Sequence, residues 1–319
     1  MENQKPKIEF YLQRDFSGKF NATADFIREG WKPLLRFTFY LLMPVCLLQT
    51  YAMNLFMSSY MGILGTAAQG VSNPILGGTL SFLTTYGVLL ICVFIGYVLL
   101  SALVYTLMQT YDTRENRLKE LIMSDIKENL IKNIKRNFAI NLYIVLIVVV
   151  TIVVVAFIIG ALAVVISWVA GVVAFFLILF LVLCCVPLMM AIPVYIFEPE
   201  ISLNHAIAKT FRLGKTTFWS LVGFIIVISI ISSVIQSVTT MPWYISILFG
   251  NFLSGASEFA ITQTPVFKFA VYILGLLQSF GTYVSMILVN VGVAFHYFHA
   301  REKVEGITIE SGIRDFDTL

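Results

Sequence analysis

His296, His299 and Glu302 stand three residues apart where the last apolar stretch of the chain ends, and by type they are the residues best suited to chemistry. On a helix the spacings i, i+3 and i+6 fall along one flank. Imidazoles beside a carboxylate serve as metal ligands or as general bases. No second cluster of ligands occurs elsewhere in the chain to complete such a site. Histidine is also favoured at helix C-termini, where its charge complements the macrodipole. The three residues are therefore weak metal candidates. No catalytic residue is assigned and no cofactor is expected; His205 reads as part of a solvated helix face.

Two polar stripes offer different chemistry. Ser229, Ser233, Gln236 and Thr240 recur on one apolar segment, and Gln278, Thr282 and Ser285 recur on the next. They could line a polar groove for a lipid headgroup or a small solute. The ordinary use of such residues is hydrogen bonding between membrane helices, with Gly275 and Gly281 as small packing residues. Lys209, Arg212 and Lys215, beside Glu198-Pro199-Glu200, could contact an anionic headgroup or a partner protein; otherwise they are solvated charges of a turn. The cysteines Cys46, Cys92, Cys184 and Cys185 all lie in apolar stretches without metal spacing, as small hydrophobes do. No phosphate-binding loop, H-E-x-x-H or G-x-S-x-G is present, and nothing supports nucleic-acid binding.

The elements that must carry these residues are membrane spans. From Asn137 to Phe197 there is no Asp, Glu, Lys, Arg or His. Crossing the hydrocarbon core takes about 20 residues, so this stretch must cross twice, with a turn expected at Ser167–Gly171. The whole chain is 59% hydrophobic and 12% charged, against about 25% charged in soluble domains. No cleaved signal peptide is expected at its polar N-terminus. The pattern gives spans at about 34–57, 80–109, 138–166, 170–197, 218–241 and 267–295. A Gly-rich connection over 58–79 and a loop at Pro242-Trp243 join spans. Pro187 and Pro193 should bend or break the fourth.

Amphipathic segments precede the outward spans. Residues 1–33 hold one through Phe26, Ile27 and Trp31, expected to lie in the interface. A second starts at a capping box, Asp112 to Glu115, and a third runs from Ser202 to a stop at Gly214. Lysine and arginine number seven from Lys5 to Arg36, seven from Arg114 to Arg136, three from Lys209 to Lys215 and three from Arg301 to Arg314; Lys268 is the exception. The positive-inside rule places all those segments, and both termini, in the cytoplasm. The expected fold is an all-α integral membrane protein: six transmembrane helices as three hairpins, each preceded by a cytoplasmic amphipathic helix. Residues 34–298 form the membrane domain between a cytoplasmic N-terminal segment, 1–33, and a tail, 299–319.

The tail from Tyr297 to Gly306 and the segment from Ala206 through Phe211-Arg212 to Phe218-Trp219 resemble a broad bacterial family of polytopic membrane proteins. That family includes the membrane region fused to some glycerophosphodiester phosphodiesterases and stand-alone proteins of unknown function. The resemblance implies six helices in a bacterial inner membrane. The phosphodiesterase barrel is absent, so its activity does not carry over.

No ionisable side chain stands in the middle of a span, which argues against proton relays and ion-coupled carriers. The sequence points to a non-catalytic scaffold or subunit of an envelope membrane complex, with membrane lipids and other membrane proteins as partners. The alternative is a lipid-handling protein, a scramblase or translocator, or a small-solute transporter not coupled to ions.

Overall fold

Once a chain enters hydrocarbon, each backbone N–H and C=O must find its partner within the protein. The apolar runs of this chain answer that demand with helix. In a computed structural model, residues 6–68, 75–165, 167–256 and 264–307 are described. The structure is 90% helix, with no strand among the described residues. The helices are α1 (Phe16–Ala68), α2 (Ile75–Thr113), α3 (Met123–Val165), α4 (Ser167–Leu188), α5 (Ala191–Phe197), α6 (Leu203–Ala256) and α7 (Pro265–Glu305). Among the described residues, six stretches are long and apolar enough to cross a membrane, the fourth formed by α4 and α5 together. This is the architecture of a multi-pass membrane protein.

Several expected breaks are absent because a helix that must bond internally tolerates Pro and Gly better than one in water. The helix α1 runs through Pro33 and Pro44, and extends to Ala68, well into the Gly-rich stretch read as a connection; residues 69–74 lie outside the described residues. Pro242 and Trp243 sit inside α6 rather than in a loop. Gly171 is within α4, which already begins at Ser167, so the predicted turn residues Ser167–Gly171 are helical; residue 166 lies outside the described residues. Gly214 does not stop the third amphipathic segment either. The helix continues, and the irregularity falls at Thr217, whose backbone (φ −118°, ψ 18°) is not helical. The Asp112–Glu115 pair is no capping box: α2 ends at Thr113, and turns follow with Arg117 and Glu120 at positive φ before α3 starts. The break near Pro187 is present, as a turn at Met189-Met190 between α4 and α5.

Contacts divide the chain into two compact units. The first comprises Met1–Trp31, Val104–Ile228 and Val289–Leu319. Its core is aromatic. The Phe10 ring stacks on Phe298 at 4.9 Å between centroids and meets Phe295 edge-on at 5.6 Å. Tyr111 stacks on the same Phe10 at 5.8 Å, and Phe26 meets Tyr111 edge-on at 5.3 Å. Edge-to-face and offset pairs of this kind add to the burial itself. In the same unit α3 packs on α4 and α5.

The second unit comprises Lys32–Leu103 and Ser229–Leu288. Here α7 is the common neighbour. From α1, the Gln49 side chain accepts a hydrogen bond from the Tyr283 hydroxyl, and Thr50 Oγ1 lies 3.2 Å from Ser279 Oγ. From α2, Gly96 leaves room for the Tyr283 ring, where a Cβ would come within 1.8 Å of the hydroxyl oxygen. From α6, the Gly281 position faces Thr239. Small residues let membrane helices approach this closely.

Candidate functional site

The polar residues of the first unit gather around the C-terminal half of α7. There positions 290–298 are all buried, as expected of a helix surrounded on every side. His296 is fully buried and His299 half-buried, their rings 5.9 Å apart between centroids. Neither is placed as a metal ligand would be. His296 Nδ1 lies 3.3 Å from Lys19 Nζ, and its Nε2 lies 3.3 Å from Thr217 Oγ1. An ammonium can only donate, so Nδ1 accepts and the ring proton sits on Nε2, donated to Thr217. The Thr217 hydroxyl in turn donates to Leu213 O at 3.0 Å. His299 Nδ1 accepts the Arg14 backbone N–H at 3.0 Å. Glu302 is buried. Among the described residues, no group of three His, Cys, Asp or Glu is placed to hold a metal ion.

Lys19 is the residue that sequence reasoning missed. Its side chain is 1% exposed and donates to Ser220 Oγ at 2.7 Å. The ammonium lies 5.9 Å from the Phe16 ring centroid and 5.5 Å from that of Phe224. A signal for this was present: Lys19, Ala22, Thr23, Phe26, Leu34 and Phe37 are all buried and recur at helical spacing on one stripe of α1. A lysine within hydrogen-bond reach of a serine can act as base to its nucleophile. Here Lys19 donates to both Ser220 and His296; burial pulls its pKa down to about 8, which still leaves it protonated at neutral pH, and two aromatic faces favour the cation. It is therefore a donor that pins α1 to the irregularity in α6, to Thr217 itself through His296 and to Ser220 just beyond it directly.

Lys209 and Arg212 are engaged in a second network. Lys209 Nζ lies 2.8 Å from the Glu198 carboxylate and 2.8 Å from that of Glu305. Arg212 also pairs with Glu305. Arg301 Nε bonds Glu305 at 3.1 Å and lies 3.5 Å from Glu198, whose Oε1 accepts the Tyr297 hydroxyl at 2.9 Å. The Tyr11 hydroxyl accepts from Arg301 at 3.2 Å. Burial raises the Tyr11 pKa above its ordinary value, against the pull of Arg301. Lys215 is exposed. The turn at Glu198, the helix after it, the end of α7 and the N-terminal segment are thus tied together by charge.

The stripes of spans five and six lie in the second unit, and only part of each faces the other. Gln236 Nε2 donates to Thr282 Oγ1 at 3.2 Å. Ser229 and Ser233 are exposed, and the inward serine is Ser232, which donates to Ser285 O at 2.9 Å. The Ser285 hydroxyl is turned onto Thr282 O at 2.8 Å, and Gln278 accepts from Ser279 at 3.4 Å. Gly275, against Thr50 and Trp243, and Gly281, against Thr239, bring the backbones together along this seam. The second unit also holds a largely apolar cavity of about 510 Å³, whose wall includes Tyr51, Asn54, Ser58, Lys268 and Tyr272.

Set against known protein families, curated proteins and solved structures, the chain matches none.

Proposed function

We propose that the protein is a non-catalytic scaffold or subunit of an envelope membrane complex, docking other membrane proteins through the hairpin of α3 and α4. In this reading it lies in a bacterial inner membrane with both termini in the cytoplasm, six spans forming three hairpins after amphipathic segments. It belongs with the stand-alone proteins that its tail resembles. The observation that carries the reading is exposure. The most apolar window of α3 is 0% buried and that of the fourth span 6%, against 22% to 39% in the other four spans. Large side chains such as Phe157, Phe175 and Phe180 stand free on this hairpin.

Glycines sharpen the point. A Cβ added at Gly96, Gly275, Gly281 or Gly292 would strike a neighbouring side chain, whereas one added at Gly160 meets nothing within 4 Å. Ala156 and Gly160 form a small-x-x-x-small pair on an exposed face of α3, the kind of surface on which membrane helices dock. Gln236 and Ser232 of span five bond to span six, while Ser229 and Ser233 face outward; the stripes therefore do not line one shared open path, which favours this reading over lipid translocation.

The test is a photo-reactive phenylalanine analogue at position 157, cross-linked in the cells that make the protein. One discrete protein adduct, lost on Gly160→Ile while the fold is retained, is expected. Adducts to lipid alone would refute the reading.

A further inference from the structure

The first unit contains a cavity of about 290 Å³ that shares no lining residue with the ion-pair network or the histidine cluster. It is lined by Gln109 and Thr113 at the end of α2, by Asn129, Lys132, Asn133 and Arg136 of α3, and by Ile196 and Pro199. No Asp or Glu is among them. Two cations one helical turn apart face a space otherwise bounded by amides, a hydroxyl and two apolar residues.

The floor is fixed in advance. Asn133 is buried and donates to Thr106 Oγ1 at 2.8 Å and to Gln109 Oε1 at 2.7 Å, using both amide protons. That fixes Gln109 with its nitrogen towards Ile196 O, at 3.2 Å, and leaves it one further N–H to give. Arg136 is held by backbone rather than by an acid. Its guanidinium donates to Tyr195 O, to Glu198 O at 3.0 Å and to Pro199 O at 2.7 Å, and lies 4.0 Å from the Tyr195 ring centroid. These contacts orient the guanidinium without neutralising it, and one of its five N–H donors remains. Among the described residues, neither Arg136 nor Lys132 forms an ion pair.

We infer that this cavity binds a phosphate ester, with Arg136 as the fixed donor at its back, Gln109 on its floor and Lys132 at its rim. Its volume lies at the small end of ligand sites, enough for a phosphoglycerol headgroup or a small soluble phosphate ester but not for a lipid's acyl chains. The arrangement of an oriented guanidinium with a mobile ammonium is one that suits phosphate.

The full chain in an uncharged detergent would be titrated with glycerol 3-phosphate by calorimetry and, separately, with phosphatidylglycerol by native mass spectrometry. Two variants at exposed positions spare the fold: Lys132→Gln removes the rim charge, and Asn129→Trp plugs the mouth. Lys127→Gln, on the same helix but outside the lining, is the control. One cation near a surface contributes about 1 kcal/mol, so Lys132→Gln should weaken binding about fivefold. Single-site binding of glycerol 3-phosphate, weakened by both variants and not by the control, supports the site with a soluble ester as its source. The same pattern for phosphatidylglycerol alone supports it with a lipid headgroup as its source. No saturable site for either probe, or one that both variants leave unchanged, overturns the inference.

Discussion

Replacing Gly281 with alanine tests whether the seam between α6 and α7 is a close-packed contact. The added Cβ would lie 2.1 Å from Thr239 Oγ1, 2.5 Å from its Cβ and 2.6 Å from its Cγ2. Ordinary contact begins near 3.4 Å, so the clash with Thr239 Cβ is about 1 Å deep. It falls on an atom fixed to the backbone, which no rotamer change can move. Overpacking of this kind costs about 1–3 kcal/mol, of which better helix propensity recovers at most ~1 kcal/mol. A net loss of about 1–2 kcal/mol is expected. Gly292→Ala meets the Cδ1 of Ile228 at 2.1 Å, but that is the far end of a flexible side chain and should cost less. Gly160→Ala meets nothing and should be neutral or slightly stabilising. Unfolding by a denaturing detergent in mixed micelles, followed by tryptophan fluorescence, gives all three values. Thr239→Gly removes the three atoms nearest the new methyl, so the double variant should show a coupling of about 1 kcal/mol or more in the cycle. Equal stability of the Gly281→Ala and Gly160→Ala proteins, with no coupling to Thr239, would refute the reasoning.

Three further outcomes follow from the buried polar groups. Lys19→Met leaves Ser220 and His296 without their donor and should destabilise by about 1–3 kcal/mol; Lys19→Met with His296→Leu should recover part of that loss in the same unfolding assay. Glu305→Gln removes the acid shared by Lys209, Arg212 and Arg301 and should cost about 1–2 kcal/mol. That loss should shrink at high salt, and a salt-independent loss would assign Glu305 a packing role instead. If Ser220 is a hydrogen-bond acceptor and not a nucleophile, a fluorophosphonate probe should leave it unlabelled; labelling abolished by Lys19→Met would make the pair catalytic.

What the sequence made legible was what hydrocarbon demands most strongly. Apolar runs long enough to cross a membrane are visible without knowing any neighbour, and proline marks the break near Pro187, although helices continue through Pro33, Pro44 and Pro242. Facing directions are harder. Ser229 and Ser233 share a stripe by spacing, yet the helix turns Ser232 inward, because the inward face is set by where Gly281 and Gly275 admit a neighbour. Lys19 was missed for a related reason: a lysine in a polar segment looks solvated, and it is the burial of Phe26 and Thr23 on its stripe that shows otherwise. Lys209 and Arg212 looked available because the acid they share, Glu305, stands 96 and 93 residues away from them in sequence. Pro242 and Gly214 punctuate helices in water but not here. The cavity beside Arg136 has no local signature at all, since its walls come from α2, α3 and the stretch around α5.

The place of α7 carries a consequence for how the molecule is made. Gln49 and Thr50 in one unit, and Phe10 and Lys19 in the other, find their partners on a helix that leaves the ribosome after every element it packs against. Until then the earlier spans must wait in the bilayer with polar side chains uncovered and glycine clefts unfilled. Such half-assembled intermediates are what quality-control proteases recognise. Any slowing of synthesis between α6 and α7 lengthens that wait, so the yield of this protein should depend on the speed of its translation as much as on the stability of its finished form.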